Sequence, residues 1–130
     1  MVRYFLIWLA VTAAFLAIDS VWLGYVARGF YQRHIGALLR EDFNLGVAAA
    51  FYALYAAGIV FLVVLRAPGA GQALLMGAVL GFCAYGTYDL TNLATLKGWS
   101  VTASMVDLAW GTVLTAVAAW VGYLAMSRLG

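Results

Sequence analysis

The chain has 130 residues, of which 67% are hydrophobic and 9% charged, with a formal net charge of +2. A mean hydropathy of +1.00 leaves too little polar side chain to cover the core of a soluble domain, so composition points to one polytopic helical membrane domain over residues 1–130. The cations stand at segment ends and form no basic stripe, so no nucleic-acid partner is expected; segments of about ten alternating residues, the mark of a transmembrane barrel, are also missing.

In chain order, the first apolar segment runs from Tyr4 to Ala27. Arg3 followed by Tyr4–Ile18 has the outline of a secretory signal. The run is too long for one, however, contains Asp19 and lacks a small-x-small cleavage site, so a retained first helix is expected. Between Arg28 and Asn44, the residues Tyr31, Ile35, Leu38 and Leu39 fall on one helical face against Gln32, Arg33, Arg40 and Glu41. That pattern suits a short helix lying in the membrane interface, with an ordinary loop as the plain alternative. A second span covers Leu45–Leu65, and the stretch from Arg66 to Gln72, with the only proline (Pro68), makes the turn into a third over Ala73–Leu96. Lys97-Gly98-Trp99-Ser100 is a tighter turn into a fourth span over Val101–Ala125. Each segment reaches the roughly 20 residues needed to cross about 30 Å of hydrocarbon.

The fold class is therefore all-α: four transmembrane helices in a compact bundle, alone or as a homodimer. Ala49, Ala53 and Ala57, then Gly77 and Gly81, then Gly111 and Thr115 repeat at four-residue spacing, which allows close helix approach. Cys83, the single cysteine, is expected to be a small packing residue. Loop charge sets Arg3, Arg66 and Arg128 against Arg28, Arg33, Arg40 and Lys97, a bias of one residue toward a cytoplasmic Arg28–Asn44 face.

Three of the five carboxylates, Asp19, Asp89 and Asp107, lie inside these spans, and no Lys or Arg accompanies them. On insertion scales each costs about 2.5–3.5 kcal/mol, so the three together cost roughly 8–10 kcal/mol without compensation. Counting the helical rise from the nearest segment ends puts Asp19 about 12 Å, Asp89 about 10 Å and Asp107 about 9 Å from one membrane face. Three helices thus bring acids toward one slab of the bilayer. On the third span Tyr85, Asp89 and Asn92 share a face with Tyr88 beside it. Trp22 follows Asp19, and Trp110 follows Asp107, by one turn. Because these helices are antiparallel, Trp110 is expected deeper and Trp22 nearer the surface. Tyr52 and Tyr55 lie at matching depth on the second span.

Protonation, hydrogen bonds from Tyr, Asn, Thr and Trp, or a watery cavity walled by aromatics would each make this layer tolerable. Simple polar glue between helices is the plainer reading, but interhelical bonds average only about 0.6 kcal/mol, and Asn or Thr supply them without ionisation. The expected substrate-contacting set is accordingly Asp19, Asp89, Asp107, Asn92, Tyr85, Tyr88, Trp22 and Trp110. His34 is the only histidine and lies outside the spans, so a histidine-based di-iron or bis-histidine haem site is excluded. Trp8, Trp99 and Trp120 are read as interface or packing aromatics. No P-loop, Rossmann fingerprint or nucleophile elbow occurs, and no cofactor or metal is implied.

The stretches Phe15–Gly24, Tyr85–Asn92 and Val106–Gly111 resemble a family of small predicted bacterial membrane proteins catalogued as a domain of unknown function. The resemblance covers nearly the whole chain and implies four spans in a bacterial inner membrane, with no catalytic residue to carry over. In plan the chain is also similar to the small multidrug-resistance transporters, four-span proteins with a buried acid in the first span. Here that acid is Asp19 rather than a glutamate, and Asp89 and Asp107 have no counterpart.

Three functional readings follow. The first is a buried aspartate site that binds or transports a small cation or proton-coupled solute. The second is a membrane enzyme using a desolvated, protonated Asp as general acid on a lipid or isoprenoid. The third is an accessory subunit whose polar layer locks its own helices or docks a partner.

Overall fold

A computed structural model of the chain describes residues 1–26 and 44–129, together with Gly29, Arg33 and His34. It is built from four helices long and apolar enough to cross a membrane: α1 (Val2–Tyr25), α2 (Leu45–Val64), α3 (Ala70–Thr95) and α4 (Val101–Leu129). The interfacial helix expected between Arg28 and Asn44 falls outside the described residues.

The helices begin where local chemistry satisfies their first amides. Asn44 Oδ1 accepts from the Val47 amide at 3.1 Å to open α2, and Ser100 Oγ accepts from the Ala103 amide at 3.0 Å to open α4, as N-caps do. Gly98 takes the left-handed backbone (φ 77) that closes the short turn between α3 and α4, a conformation glycine adopts without steric penalty. Nothing after Pro68 breaks a helix, so α3 starts at Ala70 rather than at Ala73. α4 runs four residues past the expected Ala125, ending with Arg128 in its last turn, where a cation suits the carbonyl end of the helix. Inside the spans, Thr12, Thr87 and Thr112 donate to the carbonyls of Trp8, Cys83 and Leu108 one turn earlier, so these hydroxyls need no water. The last turns of α1 and α2 widen into π-helix, over Trp22–Val26 and Val60–Val64.

α4 is the centre of the bundle. It packs along α3 and, on another side, along α1; α2 lies on α1 and reaches α4 and α3 mainly through its π-helical end. Gly77 and Gly81 of α3 meet Ala116, Ala119, Thr115 and the Gly111 carbonyl of α4, so this seam uses the small residues that the spacing singles out. The α2 stripe is different. Ala49 and Ala57 are exposed, and Ala53 is engaged through its carbonyl, which accepts from Trp8 Nε1 at 3.1 Å. Cys83 is also exposed and packs no seam, because it sits on the face of α3 opposite the α4 contact.

Packing is uneven along the membrane normal. Toward the end of the bundle that holds Met1, Val64 and Leu129, the side chains of Ile7, Val11, Ile59, Val64, Ala73, Leu114, Ala118 and Ala119 are wholly buried. Toward the other end, Tyr52, Tyr55, Tyr85, Asp107 and Trp110 point between helices yet remain partly exposed. The apolar core fills one half of the bundle, and the acids occupy the more open half.

Candidate functional site

The first acidic centre is built on α1. Asp19 is buried, and both its oxygens accept hydrogen bonds: Oδ2 from the Tyr52 hydroxyl at 2.9 Å and Oδ1 from Trp110 Nε1 at 3.1 Å. Three helices therefore meet on one carboxyl. Bonds to a charged acceptor are worth about 1.5–3 kcal/mol each, enough to offset much of the burial penalty. Phe15, one turn before Asp19, packs edge-on against Tyr52 and Tyr55 at 5.6 and 5.5 Å between ring centroids. The Tyr55 hydroxyl pairs with Thr115 Oγ1 at 2.8 Å, tying α2 to α4 at the top of the apolar core.

The second centre joins α3 and α4. Asp89 is 1% exposed, and its carboxyl faces Asp107 within hydrogen-bonding reach. Two carboxyls can share such a bond only when one of them carries a proton, since both are otherwise acceptors. The Asp89 Oδ2 atom is buried and receives no N–H or O–H donor. Asp107, by contrast, is partly exposed. The short α3–α4 turn explains the pairing, because it places both acids a similar distance from its two ends.

Tyr85 connects the two centres. Its ring lies flat against α4 at Gly111, where a Cβ would stand 2.1 Å from Tyr85 Cγ; only glycine admits the ring there. The phenol is within electrostatic reach of both Asp19 and Asp107, and the ring meets Tyr55 of α2 edge-on at 6.1 Å.

The remaining members of the expected set lie further out. Tyr88 is 55% exposed, packs edge-on against Trp99 at 5.8 Å and has the Asn92 side chain within hydrogen-bonding reach. Trp22 and Trp110 were expected at different depths, but their rings stack at 4.4 Å and 11°. Side chains lean toward the N-terminus of their helix, so Trp22 leans inward, Trp110 leans toward the surface, and the antiparallel pair converges. Trp110 also donates to Asp19, so the stacked pair stands beside that acid. The stacked indoles head an outward-facing apolar groove of about 430 Å³ lined also by Ala17, Ile18 and Val21.

The acids thus form a pair plus a third member, Asp19, held by donors of its own. Among the described residues no three His, Cys, Asp or Glu side chains stand where they could hold a metal ion together. Sequence reasoning put Tyr52 and Tyr55 at the right depth without making them part of the site, and it read Thr115 only as a small packing residue.

Four spans with ionisable side chains inside the bundle define an integral, polytopic helical membrane protein, whose surroundings are lipid. The chain belongs to the family described as Predicted membrane protein (DUF2177), whose model matches residues 4–124; the function of that family is unknown. No curated protein and no solved structure matches the chain.

Proposed function

We propose that this protein binds a small cation or proton-coupled solute within its bundle and carries it across the membrane in exchange for protons, with the Asp89–Asp107 pair as the point of exchange. The observation that carries this reading is Asp89, 1% exposed and facing a second carboxyl inside the membrane-spanning bundle. Such a pair is held together by one proton. A cation that reaches the partly exposed Asp107 displaces that proton, which leaves to water, and a returning proton displaces the cation. Intramembrane acids of this kind mark ion and proton pathways. Asp19, with both oxygens bonded, serves as a structural tie whose charge adds to the field. Both centres lie within one chain, so the reading needs no second copy. A helical bundle of this plan suits a bacterial inner membrane better than an outer one, where spanning domains are barrels.

The test uses purified protein in liposomes under an imposed pH gradient, with uptake of Na⁺, K⁺ and organic ammonium ions followed alongside a pH dye trapped inside. Gradient-dependent uptake with matching proton movement is expected for one class of solute, and at least a tenfold reduction in Asp89→Asn. Uptake that is absent for the whole panel, or equal in Asp89→Asn, overturns the proposal.

A further inference from the structure

The end of the bundle away from the acids holds a cation in a fixed position on the lipid side. We infer that an anionic phospholipid binds the outer flank of α2, with its phosphate on the Arg66 guanidinium and one acyl chain along Phe61, Gly58 and Leu54.

The site begins with the way α2 ends. Its π-helical turn sends the Leu65 amide to the Val60 carbonyl at 3.0 Å and the Arg66 amide to the Val63 carbonyl at 3.1 Å, so neither is left for the Phe61 carbonyl. Arg66 satisfies that carbonyl with its own side chain. Its Nε donates there at 3.2 Å, and the guanidinium lies over the Phe61 ring, 5.0 Å from the centroid. The exposed side chain is thus folded back along the helix and held at two points. Its two Nη groups stay available, and the planar arginine fork matches two phosphate oxygens at once.

That position decides where the anion comes from. Phe61 is exposed on the membrane flank of α2, so a guanidinium resting on it is met from the lipid layer. Leu54, Gly58 and Phe61 follow one another at i, i+4 and i+7 on one helical face. Leu54 is exposed, and a Cβ at Gly58 would have nothing within 4 Å. An open notch between two apolar side chains therefore leads from the guanidinium into the hydrocarbon, the path an acyl chain needs.

The surrounding charge has the right sign. A Cβ at Gly122 would touch Val11 and Val64, which puts those three residues at one level. Counted from there, Arg66 stands about 3 Å, Arg128 about 9 Å and Arg3 about 12 Å toward the same membrane surface. The Tyr123 hydroxyl donates to the Pro68 carbonyl at 3.5 Å and ties the turn beside Arg66 to α4, whose next turns carry Arg128. The acids among the described residues, Asp19, Asp89 and Asp107, belong to the other half of the bundle, so no described carboxylate competes for the guanidinium. Clustered cations of this kind draw anionic lipid.

The experiment follows thermal unfolding of the purified full-length chain in detergent micelles by circular dichroism. Dioleoylphosphatidylglycerol, dioleoylphosphatidylcholine and glycerol 3-phosphate are titrated separately. Phosphatidylglycerol should raise the midpoint saturably, phosphatidylcholine much less, and glycerol 3-phosphate not at all. Arg66→Gln should raise the half-saturating phosphatidylglycerol concentration about fivefold. Lys97→Gln, at the opposite end, should change it by less than about twofold. Gly58→Leu fills the notch without touching Arg66 and should weaken binding at least about twofold. Equal stabilisation by phosphatidylcholine would mean that the chains act alone, and stabilisation by glycerol 3-phosphate that any phosphate serves; either overturns the inference. So does a titration that Arg66→Gln or Gly58→Leu leaves unaltered.

Discussion

Replacing Gly111 by alanine tests the geometry on which the site depends. The new Cβ would stand 2.1 Å from Tyr85 Cγ and 2.3 Å from both Cδ atoms, whereas carbon pairs rest at about 3.5–4.0 Å. The ring must therefore retreat by about 1.5 Å, or α3 and α4 must separate along a seam where Gly81 already touches the Gly111 carbonyl and Thr115. Overpacking of this kind costs about 1–3 kcal/mol, and the value expected here is near the upper end because the obstacle is a ring backed by Tyr55. The gain in helix propensity from Gly to Ala, at most about 1 kcal/mol, does not cancel it. Two glycines serve as controls: a Cβ at Gly58 has nothing within 4 Å, and one at Gly86 meets only Leu108 Cδ1 at an ordinary 3.5 Å. Unfolding by SDS titration in mixed micelles, followed by circular dichroism, should give Gly111→Ala a loss of about 2 kcal/mol and leave both controls unchanged or slightly more stable. A Gly111→Ala variant as stable as the controls would refute the placement of Tyr85 on α4.

Three further outcomes follow from named contacts. Tyr52→Phe strips one of the two donors from the Asp19 carboxyl and should destabilise by about 1–2 kcal/mol, whereas Tyr55→Phe, which loses a neutral bond to Thr115, should cost about 0.6 kcal/mol; the same titration ranks them. Asp107→Asn places an amide donor opposite the Asp89 carboxyl and should change stability by less than about 1 kcal/mol, while Asp107→Leu, which offers no donor, should cost about 2–3 kcal/mol, again by SDS titration. The stacked indoles should give a coupled pair of ultraviolet circular-dichroism bands, lost alike in Trp22→Phe and in Trp110→Phe; survival of the pair in either variant would contradict the stack.

The four spans were legible because twenty-residue apolar runs override every weaker signal, and only their ends moved, where α3 begins three residues early and α4 ends four residues late. The opposition of Asp89 and Asp107 could be anticipated from depth, since the turn around Gly98 folds α3 onto α4 and matches residues equidistant from it. The surroundings of Asp19 could not. Hydropathy says how far a residue lies from a surface, not which helix lies beside it, so the Tyr52 and Trp110 donors were invisible until α2 and α4 were seen to flank α1. The error over Trp22 and Trp110 arose from reasoning on backbone depth, when a long side chain displaces its ring along the helix by most of a turn. The α2 alanines show a related limit: four-residue spacing of small side chains says where a neighbour could come close, not that it does.

The length of α4 ties the acids to the bilayer itself. Its 29 residues extend about 43 Å, well beyond a hydrocarbon layer of about 30 Å, and hiding all of it would require a tilt near 45°, steeper than spanning helices usually adopt. Thinning or thickening of the membrane is therefore expected to change the inclination of this helix, the longest of the four. Since α4 carries Asp107 toward Asp89 and Trp110 toward Asp19, a change in its inclination shears one contact against the other. Lipid chain length thereby becomes a physical input to the acidic layer.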